Sequence, residues 1–135
     1  MKIVNVAVGV IVDGERILLS LRNQAQHQGG KWEFPGGKIE DGELVVDALS
    51  RELEEELLIV VDKDSCKPLI RVEHDYGDKK VCLHVYTLIR FSGEPQGAEQ
   101  QEIRWVNRNE LVDLNFPEAN EAILEEILKP GFSAD

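Results

Sequence analysis

The chain has 135 residues, with 26 acidic against 15 basic side chains and a formal net charge of -11. That length suits a single domain, spanning residues 1–135, built around one core. The acidic balance argues against binding long nucleic acid, which needs a positive footprint; it admits a small anionic substrate, because a bound metal inverts the local field.

The opening "MKIVNVAVGVIV" is too short to span a membrane and lacks a small-residue cleavage site, so the expectation is a cytoplasmic protein with no membrane partner. Cys66 and Cys82 have no clustered spacing and read as free thiols, with one disulfide as the formal alternative. Residues 3–12 are almost continuously apolar, which predicts a buried strand. Asp13-Gly14 signals a turn and "RILLSL" the returning strand. A polar, glycine-bearing loop follows, then a short "WEF". Pro35, Gly36 and Gly37 are expected to interrupt any regular element.

From Leu44 to Leu58 the period changes. Leu44, Ala48, Leu49, Leu53 and Leu57 make an apolar stripe at helical spacing. Residues 67–75 and 81–91 predict two strands of a hairpin, with "GDKK" as its turn. "SGEPQGAEQQ" is a loop long enough to suggest function. "EIRWV" predicts a short strand. "NFPEANEAILEEILK" predicts a closing helix, with Asn115 as a candidate cap and Pro117 near the first turn. The sum is an α/β protein: a mixed central sheet layered between helices in an α/β/α sandwich.

The central helix carries the chemistry. Glu52, Glu55 and Glu56 stand at i, i+3 and i+4, so they share a helical face. Such a face is either a solvated acidic surface or a platform for a hard cation that takes oxygen ligands. Arg51 precedes Glu55 by four residues and is a candidate to orient or neutralise an acid, although this order makes the weaker helix pair. The flanking "FPGGK" favours the platform. Consecutive glycines cost stability and suit a backbone that approaches a ligand or offers it a carbonyl.

Gly37, Glu43, Arg51, Glu52, Leu53, Glu55, Glu56 and Ile59 fall on the pattern G-x5-E-x7-R-E-U-x-E-E-x-G-U, where U is a bulky aliphatic residue. The chain thereby resembles the Nudix hydrolase family. Leu58 is the one departure, standing where the pattern has glycine. A left-handed backbone at Leu58 would cost about 1–2 kcal/mol, but Leu58 supplies no ligand. "AVGVIVDGERILLSLR", "KWEFPGGKIE", "GEPQG" and "FPEANEAI" extend the resemblance, from about Val4 to Leu128, to the MutT-like branch of 8-oxo-dGTP diphosphatases.

The resemblance implies the Nudix fold and a small-molecule nucleotide substrate. Its reaction is attack of water on the β-phosphorus, giving a nucleoside monophosphate and pyrophosphate. It also implies Mg²⁺ as cofactor, with Mn²⁺ as an alternative, held by Glu52, Glu55, Glu56 and the Gly36 carbonyl. Glu99 matches the distant acid that the branch brings back to the metal, as ligand, base or both. A solvated loop residue is the competing reading of Glu99, and Glu102 is its nearest rival.

Gly37 and Glu43 are supporting positions, and capping is the simpler role for Glu43. Arg22 and Lys79 are candidates for phosphate or nucleotide contact; Lys79 stands where the branch carries Arg and cannot form a bidentate fork. Lys38 and His27 join them as nucleotide-contact candidates, each equally readable as a solvated side chain. Asn120 matches the residue that reads the purine edge, and its amide offers both donor and acceptor; its alternative is to stabilise the start of the last helix. Tyr76 is an accessory base-stacking candidate. Trp32 and Trp105 read as packing. Two other functions remain open: a CTP/dCTP-type diphosphatase, and a non-catalytic nucleotide-binding module suggested by Leu58. A monomer is the expectation, with a dimer as the alternative.

Overall fold

The computed structural model describes residues 2–22 and 30–134. The strands in chain order are β1 (Lys2–Asp13), β2 (Arg16–Leu21), β3 (Trp32–Glu33), β4 (Gly36–Lys38), β5 (Val60–Val61), β6 (Lys67–Asp75), β7 (Lys79–Leu88), β8 (Phe91–Ser92) and β9 (Ile103–Asn107). Two α-helices accompany them, α1 (Val45–Leu57) and α2 (Glu121–Ile127).

β1 is the axis of the mixed sheet. It runs parallel to β7 from Lys2↔Lys79 to Ile11↔Leu88, and β7 pairs antiparallel with β6. Alternate β1 residues face opposite ways. Val8 and Val10 enter a core with Phe34, Phe116, Ile123 and Ile127, on the α2 side. Ala7 and Ile11 enter another with Leu49, Leu53 and Leu57, on the α1 side. Helices therefore cover both faces, and the expected α/β/α layering is observed. Burial on both faces is why β1 reads as an unbroken apolar run.

The sheet forks at β1. Its far end pairs with β2 only at Val12↔Ile17 and Asp13↔Arg16, whereas Val6, Ala7 and Val8 pair with Lys38, Gly37 and Gly36. The Gly9 N–H reaches across the fork to the Pro35 carbonyl at 2.8 Å. Residues 36–38 are thus a strand, and the expected interruption at Gly36 and Gly37 is corrected. Glycine masks the strand in sequence because it has no side chain to alternate.

Three further boundaries differ from expectation. Lys79 and Lys80 belong to β7, so the hairpin turn is Tyr76–Asp78, closed by the Tyr76 N–H on the Lys79 carbonyl at 2.9 Å. The strand expected through Phe91 ends at Leu88, and Phe91 pairs instead with Val61. The last helix begins only at Glu121, after a 3₁₀ turn at Glu118–Asn120, so Asn115 does not cap it. Cys66 and Cys82 are free thiols. Among the described residues, no helix is long and apolar enough to cross a membrane.

Candidate active site

Helix α1 starts at Val45 behind Leu44, which makes no side-chain cap. Ala48, Leu49, Leu53 and Leu57 are fully buried against the sheet. That stripe fixes the rotation of α1 and turns Glu52 toward the fork at β4. The two glycines of β4 make room in different ways. A Cβ on Gly36 would stand 2.0 Å from the Ala7 carbonyl oxygen, so Gly36 lets β4 lie against β1. A Cβ on Gly37 would stand 2.2 Å from the Glu52 carboxyl carbon, so Gly37 admits the Glu52 side chain.

Arg51 is the hub of the helix's first half. Its Nε and Nη2 donate to the two Glu43 carboxylate oxygens, both at 2.9 Å, and its Nη1 donates to Glu52 Oε1 at 2.9 Å. Nη2 also donates to the Lys38 carbonyl at 3.0 Å. Bidentate geometry of this kind is among the strongest a charged pair forms. These bonds from Arg51, with one from the Glu40 backbone, hold the Glu43 carboxyl down at about 2. Glu43 therefore locks Arg51 rather than capping the helix. Glu55 is exposed and 3.7 Å from Arg51.

Glu56 sits in the opposite electrostatic situation. Burial, and then the neighbouring carboxylates of Glu52, Glu99 and Glu33, push its pKa up to about 8, against a backbone hydrogen bond from Gly36. Glu99 reaches this cluster on the loop after β8. Glu102, its rival, exerts no such influence and instead pairs with Arg104 at 3.2 Å. Glu33 was not singled out in the sequence. It lies in β3, bound to Arg22 at 2.5 Å, and burial raises its pKa against the pull of that arginine. The available signal was a lone acid inside the apolar "WEF".

A cleft of about 380 Å³ opens beside Glu56. Val4, Val6, Val8, Val81 and Leu83 give it an apolar floor. Around it stand Arg22, Lys38, Lys79, Tyr76 and Asn120, with Gly36 and Gly37 at the acidic end. Nucleotide-contact candidates separated by nearly a hundred positions thus line one cavity, of the size that holds a small ligand. Asn120 makes no side-chain cap to α2. Burial and Glu118 raise the Tyr76 pKa, opposed by Arg22 and a backbone hydrogen bond from Ala119. His27 lies outside the described residues.

The donor set suits a hard divalent cation, because a carboxylate that is buried and faces other carboxylates, as Glu56 does, is the kind of group such an ion relieves. Among the described residues, no group of three or more acidic, His or Cys side chains stands in an arrangement that could hold a metal ion.

Residues 7–126 match the NUDIX domain family model. The chain is 37% identical over 131 residues to the 8-oxo-dGTP diphosphatase of Escherichia coli K12, covering 94% of this chain and 98% of the relative. It is 31% identical over 125 residues to the CTP pyrophosphohydrolase of the same organism, covering 93% and 91%. A solved structure from work on MutT of Aliivibrio salmonicida and Vibrio cholerae superposes with a TM-score of 0.82 at 32% identity, over 94% of this chain and 98% of that one. Nudix hydrolases generally need a divalent metal. By the family match, the identity over nearly the whole chain and the superposable fold, the chain belongs to the Nudix family and is a MutT-like Nudix hydrolase.

Proposed function

We propose that this chain, acting as one domain, is a divalent-cation-dependent nucleoside triphosphate diphosphatase that prefers 8-oxo-dGTP. The observation that carries the reading is the single cleft shared by Glu56, Arg22, Lys79 and Asn120. Glu52, Glu55, Glu56 and the Gly36 carbonyl would hold Mg²⁺ or Mn²⁺, with Glu99 completing the set or serving as base. The cation supplies charge neutralisation and a more acidic water.

The chain's own residues do the rest. Arg22, Lys38 and Lys79 align the polyphosphate, and alignment is itself a large part of such catalysis. Water adds to the β-phosphorus as the bond to the oxygen bridging the α-phosphate breaks. Where Glu99 serves as base it takes the water's proton, and a nucleoside monophosphate leaves with that oxygen beside pyrophosphate. Asn120 reads the base edge with its donor and acceptor, and Tyr76 packs beside it. The reading extends to a monomer in the cytoplasm.

The CTP/dCTP reading is the alternative, supported by the 31% identical relative that hydrolyses CTP by name. A non-catalytic module has less support. Leu58 adopts the left-handed backbone (φ 59°) that the family glycine would take, with its side chain half exposed and the acids undisturbed.

A product-resolved panel with Mg²⁺ separates these readings, comparing 8-oxo-dGTP, dGTP, CTP, dCTP and ADP-ribose. Pyrophosphate release fastest from 8-oxo-dGTP is expected, with loss of turnover in Glu56→Gln. Asn120→Ala should reduce the oxidised-purine preference by about tenfold, the scale of one lost buried hydrogen-bond partner. Fastest turnover of CTP or dCTP would replace the purine assignment, and binding without turnover would replace the enzyme.

A further inference from the structure

The loop Gly93–Gln101, which carries Glu99, is hung on the last turn of α1. Helix ends leave carbonyl groups without intrahelical donors, and the loop supplies three. The Gln96 N–H reaches the Leu57 carbonyl at 2.9 Å and the Ala98 N–H reaches the Glu56 carbonyl at 3.0 Å. The third donor is a side chain: Gln101 Nε2 also binds the Glu56 carbonyl, at 3.0 Å. The other end of the same amide, Oε1, accepts from the Glu99 N–H at 2.8 Å. Reversing the amide would set donor against donor and acceptor against acceptor, so its partners fix its orientation.

We infer that Gln101 is a positioning residue that clamps Glu99 to the carboxyl end of α1, next to Glu56. The inference rests on the role proposed above for Glu99. Two further observations support it. A Cβ on Gly97 would stand 2.0 Å from the Gln101 carbonyl oxygen, so the loop closes tightly upon itself. Among the described residues, the non-glycine positions with left-handed backbone are Leu58 (φ 59°) and Gln100 (φ 65°). One follows Glu56 closely and the other adjoins Glu99. Such conformations persist where the surroundings over-determine them. The amide of Gln101, bonded at both ends across this junction, holds Glu99 in place alongside the Gln96 and Ala98 N–H bonds.

The test combines amide hydrogen exchange with a double-mutant cycle on the full chain. In Gln101→Ala, the Ala98 and Glu99 amides should exchange about tenfold faster while the buried face of α1 stays protected. The kcat for 8-oxo-dGTP should fall about tenfold with KM nearly unchanged, as for a displaced group that acts in the transition state. In a Glu99→Gln background the same substitution should change kcat by less than about twofold. Gln101→Glu keeps the acceptor but turns a carboxylate oxygen toward the Glu56 carbonyl, and should not rescue. Unchanged exchange at Ala98 and Glu99 would overturn the clamp. Equal kcat losses in both backgrounds would overturn action through Glu99. Full activity of Glu99→Gln alone would strike the role of Glu99 itself, and the positioning role with it, whatever the exchange data show.

Discussion

Along α1 and the residues just before it, the same residue type stands in opposite states. At Arg51 the acids are matched: Glu43 and Glu52 share one guanidinium, and Glu43 is held well below the ordinary carboxylate range. Farther along the helix Glu56 is buried and then crowded by Glu52, Glu99 and Glu33, and its proton affinity rises instead. The difference lies in what surrounds each acid, not in the acids themselves. The first cluster is a finished structural joint. The second is left unbalanced within the fold, which is the condition a cation relieves.

The largest effect should come from Glu56→Gln. Turnover is expected to fall about a thousandfold, on the scale of losing one main electrostatic group from a site. The stability effect should have the opposite sign. Glu56 has a folded pKa of about 8, above its ordinary value of 4.5. Its contribution to metal-free stability is therefore fully present below 4.5 and lost as pH rises through about 8. Metal-free Glu56→Gln should consequently melt higher than the parent at pH 8, and Mg²⁺ should raise the parent's Tm more than the variant's. A melting curve at each pH, with and without Mg²⁺, checks both signs.

Arg51→Gln breaks the matched cluster. Cation affinity should weaken about ten- to hundredfold, as when groups that orient metal ligands are removed, measurable by titration with Mn²⁺. A larger stability change at pH 8 than that of Glu56→Gln, with unchanged cation affinity, would make the Arg51 joint purely structural. The adjacent glycines of β4 separate backbone packing from room for an acid. Gly36→Ala should cost about 3 kcal/mol in urea unfolding, because its Cβ meets rigid β1 backbone. Gly37→Ala should unfold almost normally yet lose activity, because the atoms nearest its Cβ are those of the Glu52 carboxylate, the far end of a flexible side chain. The smallest effect is at the helix exit. Leu58→Gly should stabilise the chain by about 1 kcal/mol, since glycine adopts the left-handed backbone without the Cβ penalty, with turnover unchanged.

β1 and α1 were legible in the sequence because burial leaves a local pattern. An unbroken apolar run marks a strand covered on both faces, and the stripe through Leu53 and Leu57 marks a helix packed on one. β4 was not legible: Gly36 and Gly37 carry no side chains to alternate, and what they accommodate lies far away, at Ala7 and Glu52. The convergence of Arg22, Lys79 and Asn120 on one cleft likewise depends on strand order, which no local window contains. Glu33 was hidden for a related reason. A two-residue strand has no period, and the burial of its acid follows from pairing with β2.

Proton release reports on the cation site proposed at the buried, crowded acids around Glu56. Mn²⁺ or Mg²⁺ can be titrated calorimetrically at pH 7 in buffers of different ionisation enthalpy, using the parent and Glu56→Gln. Release of about one proton per cation is expected from the parent, since the ion must displace the Glu56 proton, and almost none from the variant. Cation binding of equal strength in both proteins, without proton release, would contradict that site.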